Sequence, residues 1–279
     1  MKPLLSVVIV NYNYGRFLDD AIKSVVSQNG FENCELIVVD GGSTDNSVEI
    51  IKKHADKISW WVSEPDKGQS DAFNKGFLHA RGKWGCWVNA DDLLLPGALQ
   101  SVLEFVRTTP NADWVGGGVI WLDKELRVRK CSMNTQLPFA LQGFCPGYIV
   151  GGPSSFFRIS LLHELGDFDV QLHYAMDNDL WLRMLAAGCR LHVLNKYLWT
   201  FRIHESSKTS MNLGPHDVSM LPKARLHDRN TLYARYPSNM RYERFFSRFI
   251  SLVKLLKGAY LRSFIDTLRY RNRNVKEVF

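Results

Sequence analysis

The amino-acid sequence predicts an α/β fold built on an open, doubly wound sheet, on three observations. Short apolar runs rich in β-branched residues recur through the first ninety residues. Helical i, i+3/i+4 patterns alternate with them three times. Each run ends in a polar loop. Runs that are apolar on both faces mark strands covered by helices on each side. Polar loops at the carboxyl ends of such strands are where open α/β sheets bind ligands.

Taken in order, Leu4–Val10 reads as the first strand, followed by the loop Asn11–Gly15 and a helix through Phe17, Leu18, Ala21, Ile22 and Val25. Glu35–Val39 is the second strand and runs into Asp40-Gly41-Gly42-Ser43-Thr44-Asp45. A helix follows through Val48, Ile51 and His54, with Ser43 or Thr44 the expected cap and Asp45 near its positive end. Ile58–Ser63 is the third strand; after the loop Glu64–Ser70 a helix continues to Ala80. Trp84–Val88 is the fourth strand, stopping at Asn89-Ala90-Asp91-Asp92. Pro96-Gly97 then opens a helix, with proline in its first turn. Adjacent carboxylates at Asp91 and Asp92 repel unless a cation or a donor-rich ligand neutralises them; a solvated turn is the simpler reading of the same residues.

The second half is less regular. Residues 112–133 read as longer strands and 134–152 as a loop rich in glycine and proline. Ser154–Arg158 is a short strand. Asp177-Asn178-Asp179 precedes a helix Leu180–Leu185 that ends at Gly188, and Arg190–Ile203 is strand-like. Trp181 and Leu182 read as core.

With 46% hydrophobic and 12% aromatic residues in 279, the chain can bury a large core, which excludes global disorder. Its five cysteines are scattered and lack Cys-x-x-Cys spacing, so reduced, mostly buried thiols in a cytoplasmic setting are expected rather than disulfides or a zinc site. The N-terminus lacks the long apolar region of a signal peptide. No apolar run approaches the ~20 residues of a spanning helix. The formal charge of +7 is uneven. Lys223–Phe279 holds fourteen lysines and arginines against four carboxylates, a net of +10, which leaves −3 for residues 1–222. A basic tail suits nucleic acid or an anionic membrane surface; no nucleic-acid reading module is recognisable, so none is expected as a partner. From Arg241 onward, Phe245, Phe249, Leu252, Val253, Leu256 and Tyr260 share one helical face, with Arg244, Arg248 and Arg262 across from it. Such a helix either lies in a membrane interface or packs on the domain with a solvated basic side.

Six ordered motifs carry a resemblance to a known family. They are Val7-Val8-Ile9-Val10-Asn11-Tyr12-Asn13, Val38-Val39-Asp40-Gly41-Gly42-Ser43-Thr44-Asp45, and Glu64-Pro65-Asp66-Lys67-Gly68-Gln69-Ser70-Asp71-Ala72. Asn89-Ala90-Asp91-Asp92, Met176-Asp177-Asn178-Asp179-Leu180-Trp181-Leu182-Arg183 and His204-Glu205-Ser206-Ser207-Lys208 follow. Each is weak alone, but their order and spacing over residues 4–210 resemble the family-2 glycosyltransferases. The resemblance implies the GT-A fold, a Rossmann-like mixed sheet flanked by helices. It divides the chain into a transferase domain of residues 1–210, with a nucleotide-binding half 1–110 and an acceptor half 111–210, and a helical basic extension 211–279.

The resemblance also implies roles. Tyr12 lies near the nucleotide base, Asp40 accepts a hydrogen bond from it, and Asp66 lies at the donor nucleotide. Asn89-Ala90-Asp91 takes the family's Asp-x-Asp position, with Asp91 binding a divalent metal, Mg²⁺ or Mn²⁺. Gly151-Gly152 is the glycine loop beside donor sugar and acceptor, Asp177 the catalytic base, and His204 the late histidine that joins metal or diphosphate. Each has a bland alternative: a loop aromatic for Tyr12, turn formation for Asp40 and Asp66, a helix cap for Asp177 or Asp179, a surface histidine for His204. Asp92 is expected to cap the next helix or orient its neighbour. Three positions depart from the family: Asn89 lacks the charge of an aspartate, Gly41 stands where many members carry a second aspartate, and Met176 replaces the usual glutamate before the base.

The implied activity is inverting transfer of a sugar from a UDP-, GDP- or dTDP-sugar to a glycan or lipid-linked acceptor hydroxyl. Surface polysaccharide or glycolipid assembly at the inner face of the cytoplasmic membrane is the implied setting. A sugar-phosphate nucleotidyltransferase is the second enzyme reading, although it wants a Gly-rich basic signature near the first strand that Asn11–Arg16 hardly supplies. A catalytically silent nucleotide-sugar-binding scaffold is the reading from another class.

Overall fold

The computed structural model describes residues 2–142, 151–207, 223–237 and 243–279. Four parallel strands form the first half of one mixed sheet: β1 (Leu5–Asn11), β2 (Cys34–Asp40), β3 (Trp60–Ser63) and β4 (Trp84–Asn89). The second half comprises β5 (Trp114–Leu122), β6 (Val128–Ser132), β7 (Ser155–Arg158) and β8 (Leu191–Arg202). The order is β3-β2-β1-β4-β7-β5-β6, with β8 paired in parallel to β5. The doubly wound reading holds for the first half. The antiparallel β7, β5 and β6 make the sheet mixed.

Alternation along β1 and β2 puts a core on each face. Val8, Val10, Ile37 and Val39 pack with Phe73 and Phe77 of α3 (Gln69–Leu78) and Trp181 of α7 (Met176–Ala186). Val7, Ile9, Leu36 and Val38 pack with Leu18 and Ile22 of α1 (Gly15–Val26) and Leu99 and Val102 of α4 (Ala98–Thr108). Truncating a fully buried aromatic such as Trp181 costs about 3–5 kcal/mol. The register sets the site: Asn11 pairs with Asp40, Asp40 with Ser63, and Val10 with Asn89, so the polar ends of four strands form a row. Among the described residues Cys86, Cys131 and Cys189 are buried free thiols and Cys34 is half-buried.

Several boundaries differ from expectation. Helix α4 begins at Ala98, after Gly97 in the left-handed region (φ 78°), so Pro96 lies ahead of the helix instead of in its first turn. Helix α2 (Ser47–Lys53) is capped by neither Ser43 nor Thr44, because the Ser43 hydroxyl is engaged by Asp40 and Asn13. The N-cap is Asn46, without a side-chain cap bond, and Asp45 ahead of it accepts from Ser47 N (3.0 Å) and Gly15 N (2.9 Å), tying together the starts of α2 and α1. Within 134–152, Phe139–Gln142 forms a short helix, α5; residues 143–150 lie outside the described residues. After α6 (Ile159–Glu164), α7 starts at Met176 instead of Leu180, so Asp177 and Asp179 sit inside its first turn and neither is its N-cap.

The remaining helices among the described residues are α8 (Lys223–Arg235), α9 (Glu243–Leu256), α10 (Ala259–Tyr270) and α11 (Val275–Val278). Helix α11 docks through the buried Val275, beside Leu93, Leu95 and Ile120. The single apolar face expected for the tail is in fact split. On α9, Ile250 is buried and Phe246 and Val253 pack on the main core, whereas Phe249, Leu252 and Leu256 are exposed. Arg241 and the side chains of Arg244 and Phe245 lie outside the described residues, as does Lys208. No helix among the described residues is long and apolar enough to cross a membrane.

Candidate active site

At the end of β2, Asp40 is fully buried. Its carboxylate accepts from Asn11 Nδ2 (2.6 Å), Ser43 N (2.9 Å), Ser43 Oγ (2.5 Å) and Ser63 Oγ (2.6 Å). The donors come from the neighbouring strand ends and the loop, as the register dictates. A ligand therefore reaches Asp40 only by displacing one of them. Tyr12 stands exposed beside it. Asp66 accepts from Gly68 N (2.8 Å), and burial, partly offset by that N–H and Lys75, pushes its carboxyl above the ordinary value. Tyr12 and Asp66 converge on Gly41, where an added Cβ would stand 2.5 Å from Asp66 Oδ2 and 3.3 Å from Tyr12 Cδ2. A side chain at 41 would have to displace the Asp66 carboxylate, which accounts for the glycine.

At the end of β4, Asn89 accepts from Gln69 Nε2 (2.9 Å) and donates to Asp92 Oδ2 (3.0 Å). Asp92 is buried and also accepts from Arg202 N (2.9 Å). It orients Asn89 and β8 and does not cap α4. Burial, with the charge of Asp91 second, pushes the Asp92 carboxyl well above the ordinary range. An aspartate at 89 would set a second carboxylate against Asp92 and remove a donor, so the asparagine fits its place. Asp91 faces the other way: its Oδ2 lies 3.0 Å from His204 Nε2, a contact spanning 113 positions. His204 is buried, not on the surface, against the rings of Tyr14 and Phe17. Its Nδ1 is 3.1 Å from Ser206 Oγ, which also accepts from Arg16 Nη2 (2.6 Å). Behind this pair the Arg202 guanidinium is buried over Phe17, with Nη2 3.9 Å from Asp20.

The third group lies at the start of α7. Asp177 Oδ1 accepts from Asn178 N (2.8 Å), and its Oδ2 abuts Gly152. A Cβ on Gly152 would stand 2.8 Å from Asp177 Oδ2 and 2.9 Å from Trp87 Cζ2; one on Gly151 would stand 3.0 Å from Trp199. Trp87 belongs to β4, two residues before Asn89, so Gly152 and Asp177 stand against the strand that runs into Asp91. Asp179 points inward, is 1% exposed, and pairs with Arg183 Nε (2.8 Å), Arg235 Nη1 (3.1 Å) and Tyr236 OH (3.1 Å). Asp228 of α8, also buried, accepts from Tyr174 N (2.5 Å) and Ala175 N (3.0 Å), just ahead of α7. Met176 packs in the main core, where a glutamate would be buried.

Sequence reasoning missed Asn11, Ser43, Ser63, Gln69 and Asp228. Asn11, Ser43 and Gln69 lie in motifs already singled out, and the strand register aligns Asn11 and Ser63 with Asp40; nothing local marks Asp228. Among the described residues no group of three or more His, Cys, Asp or Glu could hold a metal by itself. A cavity of about 360 Å³ lies elsewhere, between α1, residues 93–97 and the C-terminus, and includes none of the expected site residues.

Residues 6–165 match the family described as Glycosyl transferase family 2. An uncharacterized glycosyltransferase of Rickettsia typhi is 26% identical over 223 residues, which is 76% of this chain and 68% of that protein. One from Mycobacterium tuberculosis is 32% identical over 184 residues, 65% of this chain and 68% of that protein. Among solved structures, S. aureus TarS 1–349 in complex with UDP-GlcNAc matches with a TM-score of 0.58 at 18% identity, over 74% of this chain and 60% of that one. A mannosyltransferase from Pyrobaculum calidifontis in complex with GDP-Man and Mn²⁺ matches with a TM-score of 0.56 at 16% identity, over 92% and 88%. With strand ends and motif loops arranged as described, and the family matched over more than half its length, this chain belongs to glycosyltransferase family 2, the sugar-transferring enzymes, and has the GT-A fold.

Proposed function

We propose that the protein transfers a sugar from a nucleoside-diphosphate sugar to an acceptor hydroxyl with inversion, and that Asp177 is its base. The observation that carries this is Asp177 set against Gly152 and Trp87 of β4, the strand that runs into Asp91 and its partner His204. Support for the donor class comes from neighbours of like fold described with UDP, UDP-GlcNAc and GDP-Man.

In this reading Tyr12 stacks on the base and Asp66 accepts from it, while Asp40 acts through Asn11, Ser43 and Ser63 to hold that loop. Asn89, anchored by Gln69, offers a neutral polar contact toward the ribose. Gly151-Gly152 leave room for the donor sugar. Asp91 and His204, a carboxylate oxygen and an imidazole nitrogen 3.0 Å apart, would hold a divalent cation such as Mn²⁺ or Mg²⁺. When bound, the cation neutralises the charge that gathers on the diphosphate leaving group. Asp177 lies in the first turn of α7, where the helix dipole favours negative charge. It takes the proton of the attacking hydroxyl, typically worth ~10²–10⁴-fold. A single base opposite the leaving group gives one displacement and hence inversion.

Residues 1–210 form the transferase domain in this proposal, and the extension 211–279 completes it, since Asp228 and Arg235 hold the start of α7. Assembly of a surface polysaccharide or glycolipid, with a glycan or lipid-linked acceptor at an anionic membrane face, is the setting that suits such chemistry. A silent scaffold finds no support, because each of the three departures has a packing reason. The test is thermal unfolding with UDP-, GDP- and dTDP-sugars, with and without Mn²⁺. One nucleotide class should raise Tm by mass action, and only with the cation; no shift with any donor contradicts the reading.

A further inference from the structure

Helix α10 is packed inside out. Its polar side faces the protein along the edge strand β6: Ser263 Oγ accepts from Met133 N (2.8 Å), Thr267 Oγ1 accepts from Cys131 N (2.9 Å), and Asp266 accepts from Tyr197 OH (2.7 Å). The hydroxyls thereby satisfy one donor in β6 and one just beyond it, at an edge of the sheet, where an unpaired N–H row invites aggregation. The opposite side carries Tyr260, Leu261, Phe264, Ile265 and Leu268, spaced at i and i+4 and between 44% and 62% exposed. Leu255 and Leu256, 60% and 78% exposed, end α9 just before the Gly258 joint and extend the same apolar surface. Scattered exposed apolar residues are ordinary, but a contiguous stripe on one helix marks an interaction surface.

The charge around the stripe selects the occupant. Residues 243–279 carry nine lysines and arginines against three carboxylates. Lys257, Arg269, Arg271 and Arg273 are exposed, and Asp266 is already engaged by Tyr197 and Arg262. A second copy would bring like charge onto like charge. A bilayer with anionic headgroups answers both features, because acyl chains receive the apolar stripe and headgroups meet the flanking cations.

We infer that the outward face of α10, together with the end of α9, is the surface by which the protein lies on an anionic membrane. This deepens the membrane setting proposed above and rests on it for the choice of a lipid partner. At twelve residues, α10 lies in the interface plane and does not span it.

The test sediments the full chain with vesicles of phosphatidylcholine alone and of phosphatidylcholine mixed with phosphatidylglycerol. Binding to the mixed vesicles is expected, weakened in about 1 M salt, where the Debye length is ~3 Å. Joint substitution of Leu261→Gln, Phe264→Gln and Ile265→Gln should lower partition by roughly tenfold or more, with thermal unfolding unchanged because these side chains are exposed. Arg269→Gln with Arg271→Gln should lower it roughly tenfold on mixed vesicles only. Unaltered partition of the triple variant overturns the inference. So does a lipid-free dimer in light scattering that the triple variant dissolves, which would make a second copy the occupant. Asp177→Asn should partition like the parent, so failure of the transfer reading and failure of this one are read separately.

Discussion

The end of β4 and the start of α7 are built alike and held differently. Each presents one carboxylate toward the candidate site, Asp91 and Asp177, and buries a neighbour, Asp92 and Asp179. Asp92 is met by an amide and a backbone N–H, and its burial, only partly offset by these and by the Arg202 charge, pushes the carboxyl upward. Asp179 is met by two guanidiniums and a phenol, two of the three from Arg235 and Tyr236. The difference teaches that the β4 side is complete by His204, whereas the α7 side depends on the extension.

The largest expected effect falls on the β4 side. Asp91→Ala should lower turnover by roughly 10³-fold, the scale of losing charge neutralisation at the leaving group, with an unchanged melting curve; full activity in EDTA would remove the cation from the account. On the α7 side, Asp179→Ala should cost stability: about 2–3 kcal/mol in urea unfolding, below the usual figure for a broken buried pair because both guanidiniums are partly exposed. A loss no greater than that of a surface substitution would erase the contrast between the two regions.

The first half was legible because its information is local. Two-sided apolar runs, polar strand ends and the register that follows from them place Asn11, Asp40 and Ser63 side by side. The Asp91–His204 contact joins two residues the motifs had named, although no spacing rule connects positions 113 apart. The start of α7 was misread because the donors ahead of it are satisfied by Asp228, about fifty positions later. On α9, periodicity told which side is apolar, and not which side packs; the apolar side of α10 beyond Tyr260 was not read. Ile250 went inward while Phe249 stayed out, and on α10 the hydroxyls went inward.

Two smaller effects sharpen the comparison. Asn89→Asp should destabilise the β4 end by about 1–3 kcal/mol, since it removes a donor to a buried carboxyl and adds a like charge. A variant that is as stable as the parent and binds Mn²⁺ more tightly would mean that the asparagine is a weakened metal ligand. In the extension, burial, with Lys130 second, lowers Lys254 to about 8 from 10.5. The folded state then holds fewer protons than the unfolded one, so stability should rise as pH climbs from about 8 to 10.5. Lys254→Met should flatten that rise and melt higher at neutral pH. A rise that survives the substitution belongs to another group.

The most direct measurement sets Asp177→Asn beside Asp179→Asn, with donor affinity, sugar transfer and melting temperature read for each. With Asp177 as the base, Asp177→Asn should bind donor and melt like the parent, while transfer drops by ~10²-fold or more. Asp179→Asn should lose mainly stability. Normal transfer by Asp177→Asn, with loss of transfer in a stably folded Asp179→Asn, would contradict that assignment and put the base on the buried carboxylate.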